Sequence, residues 1–226
     1  MQSRPASERR EELVALYREA STCTRCALHE GRTKVVFGNG DADAQLMFIG
    51  EGPGANEDAQ GLPFVGRAGQ LLDQLLTEIG LSRGEVFVAN TVKCRPPGNR
   101  DPLPEETAAC RPYLDRQIDL IEPRLVCTLG KVAMQLVTRT QRGITAIHGK
   151  PEVHELGGRT VRVYPLFHPA AALRSTATLN ELREAFARIP ALLEEPPPTP
   201  IGVVAPPALT VAPEPRQEPP QLDLFG

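Results

Sequence analysis

Four short apolar runs, interleaved with helical patterns, constrain this chain more than any other feature. "QLMFIG" (45–50), "EVFVANTV" (85–92), "RLVCTLG" (124–130) and "TVRVYPLF" (160–167) read as strands, three of them nearly all apolar, as in a sheet covered on both faces. Helices lie between and after them. In "GQLLDQLLTEI" (69–79), Leu71, Leu72, Leu75, Leu76 and Ile79 form one stripe, closed by Gly80. A second helix runs from Pro104 to Ile121, with Pro104, Glu105 and Glu106 in a first turn that favours proline and negative charge. Two more fit residues 131–137 and 179–194. The alternation predicts an α/β fold: a mainly parallel, four-stranded central sheet with helices on both faces.

At 226 residues and 41% apolar, the chain can bury at least one sizeable core. A net charge of −3 shows no global basic excess, although a local patch of Lys and Arg would still supply phosphate binding. Five cysteines are too few for a disulfide framework of this size, and the odd count suits a reducing compartment. The charged N-terminal stretch has no apolar segment, and no run approaches the roughly 20 apolar residues of a membrane span. A soluble, cytoplasmic protein is expected. Composition shifts near Pro196, where "PPPTPIGVVAPPALTVAPEPRQEPP" loses all helical or alternating period and predicts an extended, disordered linker. The expected organisation is a folded unit over 1–195 with an N-terminal helix, a linker over 196–220, and the apolar peptide "QLDLFG" over 221–226.

In an open parallel sheet, ligands bind beyond the carboxyl ends of the strands. The segments that follow them are "GEGPGANEDAQGLPFVGRAG", "NTVKCRPPGNRDP" and "HPAAALR". Gly50, Gly52 and Gly54 let backbone N–H groups approach a ligand, or simply serve a turn. They form neither a Walker loop nor a dinucleotide fingerprint. Glu51, Glu57 and Asp58 share that loop and could polarise water, while Phe64, between Pro63 and Val65, is either core or a stacking face. Asn90 and His168 each end a strand, where they cap a turn or meet a ligand. His29, His148 and His154 have no such setting. Cys23 and Cys26 form a C-x-x-C pair, and Cys94 and Cys110 could complete a site for zinc or an iron–sulfur cluster; a redox pair is the other reading. Cys127, inside an apolar strand, is assigned to the core.

In this order and with this cysteine set, those segments resemble family 4 uracil-DNA glycosylases, the iron–sulfur branch of that superfamily, over roughly residues 20–190. The resemblance implies a three-layer α/β/α domain, a [4Fe–4S] cluster on Cys23, Cys26, Cys94 and Cys110, and hydrolytic removal of uracil from single- and double-stranded DNA. A related branch that traps DNA covalently carries an Arg-Arg-Ile-His insertion, absent from "RPPGNRDPLPEETAAC". By the same resemblance Phe64 is a stacking platform, Asn90 reads the uracil edge beside Gly52, and His168 donates towards uracil O2. Glu51 or Glu57 orients water or stabilises the sugar cation; Glu57 is also placed to exclude the thymine methyl. Gly52 stands where better-known uracil glycosylases have an aspartate. Leu173 and Arg174 would fill the space of the flipped base and touch phosphate, with Lys93, Arg95 and Arg100 as further phosphate contacts. A catalytically silent iron–sulfur DNA-binding module is the competing expectation. Gln221, Leu222, Asp223, Leu224 and Phe225 resemble the peptide by which bacterial repair proteins dock in the sliding clamp, here on an otherwise monomeric protein.

Overall fold

The computed structural model describes residues 4–199. The linker beyond Thr199 and the peptide Gln221–Phe225 lie outside the described residues. In chain order the elements are α1 (Ala6–Ser21), α2 (Leu28–Gly31), β1 (Asn39–Gly40), β2 (Leu46–Gly50), α3 (Ala55–Gln60), α4 (Arg67–Glu78), β3 (Phe87–Asn90) and α5 (Pro104–Ile121). There follow β4 (Leu125–Leu129), α6 (Lys131–Thr138), α7 (Ile144–Ile147), β5 (Glu152–Leu156), β6 (Arg159–Leu166), α8 (Pro169–Ala172), α9 (Thr176–Ala187) and α10 (Ile189–Glu194). None of these helices is long and apolar enough to cross a membrane.

The strands form one sheet in the order β1-β3-β2-β4-β6-β5. The inner four are parallel and correspond to the four apolar runs; β1 and β5 pair antiparallel at the two edges. The sheet is therefore six-stranded and mixed, where four strands were expected. β5 turns into β6 through Gly157 and Gly158, both at positive φ, the turn that matches the strands' right-handed twist.

Side chains alternate across the sheet and divide the core in two. Met47 and Ile49 of β2 pack with Leu13 and Leu16 of α1 and with Leu114 and Ile118 of α5. Leu46 and Phe48 face the other way, against Leu72, Leu75 and Leu76 of α4 and Phe186 of α9. Three layers follow from this period of two. The stretch 179–194, expected as one helix, is two: Pro190 starts α10, because it offers no N–H to continue α9.

β2 sits between β3 and β4, so the crossover from β2 to β3 and the next, from β3 to β4, run in opposite directions along the sheet. That reversal opens a crevice beyond the carboxyl ends of the central strands.

Candidate active site

A cleft of about 450 Å³ occupies that crevice, lined by Glu51, Gly52, Glu57, Phe64, Asn90, Arg100, His168 and Arg174, among others. Segments after β2, β3 and β6 thus meet at one place.

Gly50 makes the meeting possible. A Cβ there would stand 2.5 Å from Asn90 Oδ1 and 2.7 Å from the Phe64 ring. Phe64 has φ +54°, rare for an aromatic residue, and is held by its neighbours. Glu57 Oε1 accepts from the Val65 and Gly66 N–H groups, each at 3.0 Å, and Arg83 donates to the Pro63 carbonyl at 2.6 Å. The Phe64 carbonyl fills the space above Gly69, where a Cβ would come within 1.7 Å.

Asn90 ends β3 at 1% exposure, and among the described residues its Oδ1 has no hydrogen-bond partner. Buried amides seldom stay unpaired. His168 lies with its ring centroid 5.7 Å from that of Phe64, the two planes 26° apart. The Ala170 N–H donates to His168 Nδ1 at 3.1 Å, so in the neutral ring the proton sits on Nε2. Burial lowers this imidazole to about 4, against a smaller upward pull from Glu57. Glu51 behaves oppositely: burial, helped by the charge of Asp101, pushes its carboxyl up to about 7. A Cβ on Gly52 would stand 2.9 Å from Val92 Cγ2, so an aspartate would not enter without a shift.

Other sequence candidates have different surroundings. Arg100 lines the cleft but makes a two-pronged ion pair with Glu106 at 2.8 and 2.6 Å. Arg95 donates to Asn99 Oδ1 at 2.8 Å. Leu173 is 40% exposed beside Arg174 at the end of α8. Asp58 is buried away from the cleft, accepting from the Thr33 N–H at 2.9 and 3.1 Å. Lys93 cannot be a phosphate contact. It is 2% exposed, with its ammonium on the Asn90 carbonyl and Gln117 Oε1, and burial lowers it to about 8. His148, which sequence reasoning set aside, stacks on Phe167 at 3.9 Å, and its Nδ1 accepts the Phe167 N–H at 3.0 Å, one residue before His168. The partners are 19 residues apart, and no local motif around His148 signals their contact.

Cys23, Cys26, Cys94 and Cys110 line a second, separate cavity. Arg32 donates to Cys94 Sγ at 3.5 Å and the Lys93 N–H to Cys110 Sγ at 3.2 Å. No three His, Cys, Asp or Glu side chains among the described residues gather as a single metal ion requires. Cys127 is fully buried in β4, as assigned.

The fold and site thus define an α/β protein with a cleft at the switch point of its parallel sheet, where an aromatic face, a buried amide and an imidazole N–H meet. Residues 37–189 match the uracil DNA glycosylase superfamily. The chain is 47% identical over 176 residues to the type-4 uracil-DNA glycosylase of Thermotoga maritima, covering 77% of this chain and 89% of the relative. It is 44% identical over 182 residues to the type-4 enzyme of Sulfurisphaera tokodaii, covering 78% and 83%. Likeness to the type-5 uracil-DNA glycosylase of Pyrobaculum aerophilum is lower, 32% over 166 residues, covering 66% and 72%. This chain belongs to the uracil DNA glycosylase superfamily.

Proposed function

We infer that the protein is a DNA-repair glycosylase that hydrolyses the N-glycosidic bond of uracil in DNA and leaves an abasic site. The Asn90 Oδ1 carries this reading: it is a buried acceptor, in a cleft, with no donor to it among the described residues. The target base is stacked inside a duplex, so the nucleotide must rotate out into the cleft. Phe64 then offers its ring face, while the Asn90 amide accepts from uracil N3–H and donates to O4. Cytosine presents the reverse pattern and leaves the buried oxygen unpaired. As the bond to N1 breaks, negative charge develops on the base. The His168 Nε2–H points its dipole at O2 without transferring its proton, since a ring lowered to about 4 is neutral at physiological pH.

Water must then reach a cationic sugar. Glu51 suits this step better than Glu57, whose Oε1 is engaged by two backbone N–H groups of the Phe64 loop. A carboxyl raised to about 7 is matched to accepting a proton near neutral pH. Glu57 holds the stacking face and walls the cleft. Arg174 and Leu173, at the rim, fit the backbone and the gap left by the flipped base. A silent DNA-binding module would need neither the unpaired amide nor the oriented imidazole.

The cysteine-lined cavity suits a [4Fe–4S] cluster. Four soft donors around a cavity rather than about one point favour a group larger than one zinc ion, and N–H groups aimed at two of the sulfurs are what ligating thiolates need. The cluster would tie the segment after α1 to the loop after β3 and to α5, a structural task remote from the scissile bond.

The test is single-turnover uracil release by the purified chain and by Asn90→Ala and His168→Ala. The chain should yield abasic sites, and each variant should lose on the order of 3 kcal/mol of barrier lowering, roughly a hundredfold in rate, while remaining folded. Near-normal rates in both variants contradict the site assignment. For residues 221–226 we propose docking in a bacterial sliding clamp: Leu222, Leu224 and Phe225 bury themselves in its groove, and the proline-rich linker raises the local concentration of the enzyme on DNA.

A further inference from the structure

Lys93 is buried where the excision chemistry has no use for an ammonium. At 2% exposure it is out of water, a costly position unless its protons find acceptors. Two are supplied: Nζ donates to the Asn90 carbonyl at 2.9 Å and to Gln117 Oε1 at 2.5 Å. Gln117 is itself anchored, its Nε2 donating to the Phe37 carbonyl at 2.9 Å, and it shares α5 with Cys110. The Lys93 backbone is pinned too. Its N–H donates to Cys110 Sγ at 3.2 Å, and its carbonyl accepts from the Val36 N–H at 2.8 Å. A short path of hydrogen bonds therefore runs from a cysteine sulfur through Lys93 to the residue whose unpaired amide faces the cleft.

We propose that Lys93 is a positioning residue that transmits the placement of the cysteine-lined site and of α5 to Asn90, so that its amide is preset for the base. The proposal rests on reading Asn90 as the base-reading amide. The ammonium takes the backbone carbonyl of Asn90 and leaves the side-chain amide for the ligand. The intervening turn is stiff, because the Thr91 and Val92 N–H groups donate to the Gly50 and Glu51 carbonyls at 2.9 and 3.2 Å. A displacement at Lys93 is therefore passed on to Asn90, and small misplacements of a reading group cost rate.

Lys93→Met keeps the length of the stem and removes the ammonium. Its single-turnover excision rate should fall roughly 10- to 100-fold, with iron and sulfide per chain and affinity for undamaged duplex unchanged. In an Asn90→Ala background the same substitution should cost nothing further, because Lys93 acts through Asn90. Equal losses in both backgrounds, or a wild-type rate in Lys93→Met with its iron retained, would overturn the proposal. If Lys93→Met does not fold or loses iron, Gln117→Leu tests the same link from the α5 side, because it removes the acceptor that ties Nζ to that helix. Slower excision without a lower melting temperature supports the proposal, and wild-type excision refutes it. Absence of uracil release by the unaltered chain in the same assay would instead refute the glycosylase reading.

Discussion

Burial drives Glu51 and His168 in opposite directions, and both shifts serve the proposed chemistry. The imidazole, lowered to about 4, is a neutral donor at any pH the cell visits, whereas the carboxyl, raised to about 7, titrates within that range. Excision should therefore rise with pH through about 7 and show no histidine limb above about pH 5; a pH–rate profile under single-turnover conditions checks both. The Glu51 contribution to stability moves the other way: between pH 4.5 and about 7 the native Glu51 keeps a proton that the unfolded chain has lost, so its share falls as pH rises, while His168, lowered to about 4, contributes in the opposite sense below pH 6.5. Glu51→Gln is expected to excise more slowly, to lose the rise through pH 7, and to melt above the unaltered chain at pH 8 but not at pH 4. Gly50→Ala should abolish excision, since its Cβ would displace both Asn90 Oδ1 and Phe64; a folded variant with normal rates would contradict that geometry. At this scale the meeting of Asn90, Phe64 and His168 at one cleft was legible because all three lie at strand ends or in the segments that follow them, which the sheet gathers at one edge. Lys93 was not, because its acceptors are a carbonyl three residues back and a glutamine on α5 that only folding brings near.

Among the elements, the central parallel strands were legible because burial on both faces makes their sequences almost wholly apolar. The edges were not. β1 is two residues long and exposed, too short for any pattern. β5, "EVHEL", is half solvated, but the Gly157-Gly158 pair after it is a hairpin signal that could have revealed it. Gly157 has φ +58°, and a Cβ there would stand 2.4 Å from the Asp115 carbonyl on α5. Gly157→Ala should lower stability by about 1–3 kcal/mol, visible as a lower melting temperature. Unchanged melting would show that the β5–β6 turn does not bear on α5 as described. The same logic explains the misread helix at 179–194, where leucine periodicity continues across Pro190 although the hydrogen bonds cannot.

At the scale of the whole molecule, the chain carries a cleft at the sheet's edge, a separate cysteine-lined cavity and a tail proposed for a partner. Replacing Cys110 by Ser should remove iron and sulfide and destabilise the chain, whereas Cys127→Ala, deep in β4, should keep both; elemental analysis separates a cluster from zinc. Removing residues 221–226 should leave excision on short oligonucleotides unchanged while abolishing binding to a bacterial clamp in a direct binding assay. The central claim, however, is that this cleft takes uracil out of DNA. Its most direct test is to incubate the full chain with three otherwise identical oligonucleotides, carrying uracil, thymine or cytosine at one position, and count abasic sites in single and double strands. Sites should form at uracil alone or far ahead of the other two; no release from the uracil strand, or equal release from cytosine, would contradict the account.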